Sequence, residues 1–125
     1  MDSYQPRYYL NQSKLPDHLV IVRVRKREVV AVCHLIIRTG SVEGPPYLEL
    51  DMLNVDGTVR AQHIGTIMVG IAEDVARQLR LGELRLEALT EELVSYYRRF
   101  GFQVDGSPVV CSGWGTVHPM RKDLR

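Results

Sequence analysis

Cysteine is scarce in this chain. Cys33 and Cys111 are the only two among 125 residues. Both fall in apolar, strand-like segments, where a buried reduced thiol is expected rather than a disulfide. His34 and His118 sit in strands without ligand spacing, and no Cys/His cluster supports a metal site. An excess of one charge is missing too: 16 Lys and Arg stand against 15 Asp and Glu, a net charge of +1. That near-balance gives no global electrostatic reason to expect nucleic acid or an anionic membrane as the main partner. No apolar run approaches the roughly 18 residues that span a bilayer. The opening stretch "MDSYQPRYYLNQSKLP" lacks the charged start and apolar stretch of a signal peptide. There is no fixed-period repeat and no low-complexity tract. These absences leave one cytoplasmic domain with one core, residues 1–125.

What is present alternates between the two periodicities of secondary structure. "HLVIVRVRKREVVAVCHLIIR" (18–38) reads as two strands around a basic tip. Val20, Val22 and Val24 alternate before the tip, and a β-branched run from Val29 to Ile37 follows it. Residues 39–46, rich in Gly and Pro, form a loop. "YLELDMLNV" (47–55) is the next strand, with Glu49 and Asp51 on one face at period two. From Ile64 a helix carries apolar residues at 64, 67, 68, 71, 72, 75, 76 and 79. Glu73 and Arg77 form an i, i+4 pair on its outer face, and Gly82 is the expected stop. Residues 83–89 alternate as a strand. Thr90 is the N-cap of a second helix, with Glu91 and Glu92 at its positive end. Leu93, Tyr97 and Phe100 share one face of that helix, Tyr96 points elsewhere into packing or surface, and Gly101 ends it. Strand-like pieces finish the chain. The order is β-β-β-α-β-α-β-β, a mixed α/β (α+β) fold. Strands 47–55 and 83–89 flank a helix and should be parallel, with antiparallel hairpins on either side.

The turn between strand 47–55 and the first helix is a general anion site. Free backbone N–H groups converge there and the helix dipole adds to them. Gly65 permits close approach, Thr66 adds a hydroxyl and Arg60 adds charge. Its sequence, "VDGTVRAQHIGT", resembles the acyl-CoA pyrophosphate loop of the GNAT superfamily of N-acyltransferases, roughly V-x-P-x-x-[RQ]-x-x-G-x-[GA]. Val55, Arg60, Gly65 and Thr66 stand where that pattern wants them. Downstream, "LVSYYRRFGF" resembles the family's A-x-x-L-Y-x-x-x-G-F segment through Tyr97, Gly101 and Phe102, and "HPMRKDL" its closing strand. The resemblance covers about residues 18–125. Three positions depart from the pattern: His63 replaces the first loop glycine, Gly57 a common proline, and Thr90 an asparagine that touches the pantetheine arm.

The resemblance implies a GNAT-like, mostly antiparallel sheet with a parallel pair around a central βαβ unit and a reduced N-terminal helical part. It implies an N-acetyltransferase that moves an acetyl group from acetyl-CoA to a primary amine by direct attack, without a metal. The donor would be held along Leu53, Asn54 and Val55, with the N–H near Leu53 or Val55 polarising the thioester. The loop from Arg60 through Ala61, Gln62, His63, Ile64 and Gly65 to Thr66 would hold the pyrophosphate, and Thr90 would lie at the pantetheine arm. Glu49 is the implied base, with Asp51 in reserve, and Tyr97 the acid that protonates the leaving thiolate. A short N-terminal lead-in would leave the acceptor site open, suiting a protein or peptide amine as well as a small molecule. The rival reading is a GNAT-like module that holds CoA, or has lost it, and works by contacting a protein. A third, an RNA-directed enzyme, would use the basic tip at Arg23, Arg25, Lys26 and Arg27 and bind in a salt-dependent way. Exposed C-terminal strand edges allow a homodimer.

Overall fold

The computed structural model describes residues 16–39, 44–57, 63–113 and 115–125. The expected reduced N-terminal helical part lies outside them. The elements run β1 (His18–Arg25), β2 (Glu28–Arg38), β3 (Tyr47–Val55), α1 (Ile64–Gln78), β4 (Glu83–Ala88), α2 (Glu91–Arg98), β5 (Gln103–Val104), β6 (Val109–Cys111) and β7 (Gly115–Asp123). They form one mixed sheet ordered β1-β2-β3-β4-β7-β5, with β6 paired to β7. Among the described strands the β3–β4 pair alone is parallel, as a βαβ crossover requires.

The basic tip is a two-residue turn in which Lys26 and Arg27 both have left-handed backbone, φ 51° and 65°. Two positive φ angles mark the type I′ turn that matches strand twist. The alternating valines of β1 mark its outer side: Val22 and Val24 are exposed, whereas Leu19 and Ile21 pack on the core. On β2, Ala31, Cys33 and Leu35 join that core, and Val32, His34 and Ile36 between them are buried as well. Burial pushes the Cys33 thiol up to about 12, so it stays protonated and unreactive.

β3 contains a bulge. Leu35 pairs with Leu50 and His34 with Met52, which leaves Asp51 as an extra residue. Leu48 and Leu50 enter the core before it, Leu53 and Val55 pack there after it, and Asp51 and Met52 share the opposite side.

α1 buries Ile64, Gly65, Met68, Val69, Ala72 and Ala76 over β2, β3 and β4. The buried stripe is rotated from the expected one, since Ile67 and Leu79 are exposed. Glu73 also departs from expectation. It is not an outer-face residue: it binds Lys122 of β7 at 2.6 Å and keeps Arg77 at 3.6 Å. The helix stop is Arg80 rather than Gly82. Arg80 takes φ 60°, and the Leu81 amide reaches back to the Ala76 carbonyl at 2.8 Å, a left-handed C-terminal closure. Thr90 caps α2 as expected, its hydroxyl oxygen accepting from the Leu93 amide at 3.1 Å. α2 buries Val94 and Tyr97, and Leu93 is exposed instead of sharing their burial. Gly101 ends the helix at φ 92°.

Candidate active site

β3 and β4 are joined only at Leu48↔Leu84 and Glu49↔Arg85, although β3 runs on to Val55 and β4 to Ala88. Past Glu49 the strands diverge. A cavity of about 360 Å³ lies there, lined by Leu53, Asn54, Val55, Gly65, Leu93, Tyr96 and Tyr97. Alternation decides which backbone groups face it. The Asp56 amide donates to the Val30 carbonyl at 2.8 Å, so Asn54 and Met52 face β2 as well. The N–H and C=O of Leu53 and Val55 therefore turn to the splayed side.

The start of α1 forms a second wall. His63 is the N-cap, with φ 59° and no side-chain cap bond, and its carbonyl accepts from the Ile67 amide at 3.1 Å. The amides of Ile64, Gly65 and Thr66 in the first turn have no acceptor within the helix, and no acidic side chain occupies that turn. Positive helix potential and donors thus point the same way. The left-handed backbone explains why a glycine suits position 63: glycine reaches it without the roughly 1–2 kcal/mol that a side chain costs there. His63 keeps the conformation nonetheless. Gly65 is buried, and a Cβ at this position would overlap the Tyr96 hydroxyl. Arg60, Ala61 and Gln62, expected in the same loop, lie outside the described residues.

α2 supplies the third wall through Leu93, Tyr96 and Tyr97, at i, i+3 and i+4 on one helix side. Tyr97 packs edge-on against Phe102, ring centroids 5.7 Å apart. Burial raises its hydroxyl well above the ordinary tyrosine value of 10, with smaller contributions from Tyr96 and Cys33. Tyr96 corrects the sequence reading, which set it apart from the site. It lines the cavity, and its i+3 spacing from Leu93 was the available signal. Thr90 is not brought to the lining.

Glu49 and Asp51 lie on the sheet face away from α1, as period two requires, and neither lines the cavity. Glu49 Oε2 accepts from Arg38 Nη2 at 2.9 Å. Asp51 Oδ2 is 3.1 Å from His34 Nδ1, and His34 Nε2 is 2.9 Å from His18 Nδ1. Sequence reasoning weighed His34 only as a metal ligand and did not name His18, because the two lie sixteen residues apart and meet only through strand pairing. His118 stands 3.8 Å from Glu91. Among the described residues, no three His, Cys, Asp or Glu side chains converge to hold a metal ion.

A parallel pair that splays beside a glycine-bearing helix start is the donor architecture of an acyl-CoA transferase. Residues 1–102 match the model of the Acetyltransferase (GNAT) family, and the chain belongs to that family. Solved structures share the fold at low identity. An aminoglycoside 6'-N-acetyltransferase complexed with coenzyme A superposes with a TM-score of 0.77 at 17% identity, over 99% of this chain and 83% of that one. Ard1 from Thermoplasma volcanium gives 0.76 at 16% identity, over 98% and 81%. A chain of the NatC complex bound to Gag peptide and CoA gives 0.72 at 20% identity, over 95% and 77%. No curated protein matches this chain.

Proposed function

We propose that this chain, as one GNAT-like domain across residues 1–125, transfers an acetyl group from acetyl-CoA to a primary amine by direct attack in a ternary complex. The observation that carries the reading is the meeting at one opening of β3 backbone groups, the α1 start and the Tyr97 ring. The splayed edge at Leu53, Asn54 and Val55 receives the pantetheine amides as an added strand would be received. The Leu53 N–H polarises the thioester carbonyl as negative charge develops on its oxygen. Amides from His63 through Ile64 and Gly65 to Thr66, with Arg60, Ala61 and Gln62, hold the pyrophosphate. Thr90 accepts one hydrogen bond as a cap and retains an O–H to offer the pantetheine arm. Tyr97 protonates the leaving thiolate. The base is one of the β3 carboxylates, Glu49 or Asp51.

The acceptor is an amine of a small molecule or of a peptide. The fold neighbours include one acting on aminoglycosides and one bound to a peptide, so both classes belong in the test. Calorimetry should detect acetyl-CoA binding, and thiol release should then depend on an added aminoglycoside or N-terminal peptide. No binding at millimolar acetyl-CoA would overturn the proposal. Binding without thiol release from any amine would favour the protein-interaction module, a reading helped by the non-glycine His63.

Cys33 and Cys111 are unpaired with one another, which fits a reducing compartment, and we place the protein in the cytoplasm. No described helix is long and apolar enough to cross a membrane. Val110 on β6, 81% exposed, marks the edge through which a homodimer would form.

A further inference from the structure

The sheet face turned away from α1 carries a cluster that the donor side does not use. His34 is 1% exposed, a costly place for an imidazole unless both ring nitrogens are bonded. Its two neighbours decide where its hydrogen sits. The Asp51 carboxylate accepts only, and its Oδ2 lies 3.1 Å from His34 Nδ1, which favours the ring hydrogen on Nδ1. Nε2 is then the acceptor, and His18 Nδ1–H donates to it across 2.9 Å. The three side chains come from three adjacent strands, β1, β2 and β3.

The bulge makes this chain of contacts possible. It inserts Asp51 as the extra residue between the partners of His34 and Leu35, two residues past the last β3–β4 pair and two before Leu53, about 7 Å along the strand. The Asp51 side chain remains 42% exposed, open to an incoming amine. Glu49, in contrast, is the last paired residue and has one oxygen bound to Arg38.

We infer that Asp51 takes the acceptor's proton, and that His34 and His18 are positioning residues that hold its carboxylate at the mouth of the splay. The inference rests on the acetyl-transfer reading above. The ammonium gives one proton to Asp51, which releases it to solvent from its exposed side. The freed nitrogen lone pair bonds to the thioester carbon. As the tetrahedral intermediate collapses, the C–S bond breaks, Tyr97 protonates sulfur, and the second proton lost from nitrogen restores the Tyr97 hydroxyl. One proton is released per acetyl group transferred.

Among the described residues, the charged and titratable groups facing His34 are His18 from β1 and Asp51 and Glu49 from β3. Burial lowers its pKa below the ordinary 6.5, Asp51 opposes this, His18 lowers it further, and Glu49 raises it slightly. His34 is thus neutral near pH 7. Because its folded-state value lies below the unfolded one, the stability it contributes is complete above about pH 6.5 and is lost as pH falls through the folded value. Over the same descent the imidazolium pairs with Asp51 and withholds it as a base.

The test is thiol-release kinetics across pH, with ¹⁵N NMR of the imidazoles in the free protein. Asp51→Asn should cut kcat about 10²-fold with acetyl-CoA affinity unchanged, and recover at high pH, where the amine deprotonates unaided. His34→Leu should cut kcat roughly tenfold or more. His34→Gln, whose amide can still donate to Asp51, should restore most of that rate and lose one ionisation from the acid limb. NMR should show His34 as the Nδ1–H tautomer, with its titration displaced in Asp51→Asn. Full turnover in Asp51→Asn, a folded His34→Leu with wild-type kcat and pH profile, or an Nε2–H tautomer would each overturn the inference. A wild type that binds acetyl-CoA but releases no thiol overturns the transfer reading and the base with it. That failure is told apart because every variant is then equally inactive.

Discussion

Burial holds the Tyr97 proton in place, so the hydroxyl is protonated near pH 7, and the proposed reaction has it donate to the departing sulfur. Phenylalanine keeps the edge-on contact with Phe102 and deletes only the hydroxyl. Tyr97→Phe should therefore change stability by less than about 1.5 kcal/mol and lower kcat roughly 10²-fold, while acetyl-CoA affinity stays constant. Full turnover with a good acceptor would remove Tyr97 as the acid. Gly65 allows two effects to be separated. Alanine and aspartate there both displace the Tyr96 hydroxyl, but only aspartate sets a negative charge at the helix start. Gly65→Asp should weaken acetyl-CoA binding by over tenfold beyond Gly65→Ala, because the helix-end potential favours anions and this charge competes with the phosphates. Equal affinities by calorimetry in two folded variants would exclude the site. Gly65, Tyr97 and, through its i+3 spacing from Leu93, Tyr96 could be placed from spacing within one segment. The contact of His34 with His18 could not, since it depends on strand pairing.

Turns and helix ends were less legible than the elements they join. The strand pattern on either side of the basic tip located the hairpin, but nothing in Lys26 or Arg27 favours the left-handed backbone both adopt. Arg80 is similar: it closes α1 in a conformation that glycine favours, while Gly82, the residue that looks like a stop, lies beneath the Arg125 guanidinium. In each case pairing of the flanking elements imposes the geometry and the side chain bears its cost. Replacing Lys26 by Asn and Arg27 by Gly should stabilise the protein by at least about 1 kcal/mol, seen as a higher urea midpoint with an unchanged m-value. A lower midpoint would mean that the basic pair makes favourable contacts of its own. Acetyl-CoA binding should not respond, because neither residue lines the cavity.

Lys122 ties distant parts of the molecule together. Its ammonium donates to Glu73 on α1 and to the Phe100 carbonyl beyond α2, each at 2.6 Å. One side chain on β7 thus joins α1 and the segment that follows α2 to the sheet. Lys122→Met should cost about 2 kcal/mol, the scale for half-buried hydrogen bonds to a charge, and the loss should exceed that of Arg77→Ala, whose partner Glu73 keeps Lys122. Urea titration reads both. A Lys122→Met protein within 0.5 kcal/mol of wild type, on the order of error for a surface site, would show that the helices dock without this tie.

The alternation of residues 18–38 and 47–55, the helical stripe from Ile64, the Thr90 cap and the Gly101 stop depend on local stereochemistry and periodic burial. For that reason the element order, the parallel central pair and the start of α1 were readable from the chain alone. Register is a different kind of quantity. Whether β3 stays paired to β4 past Glu49, whether a residue is squeezed out at Asp51, and which imidazole meets which carboxylate are settled by how sheet and helices fit together. A shift of one residue exchanges the faces of a strand, and no local preference at Asp51 marks the bulge. Tertiary packing alone therefore opened the cavity and joined His18, His34 and Asp51 across three strands.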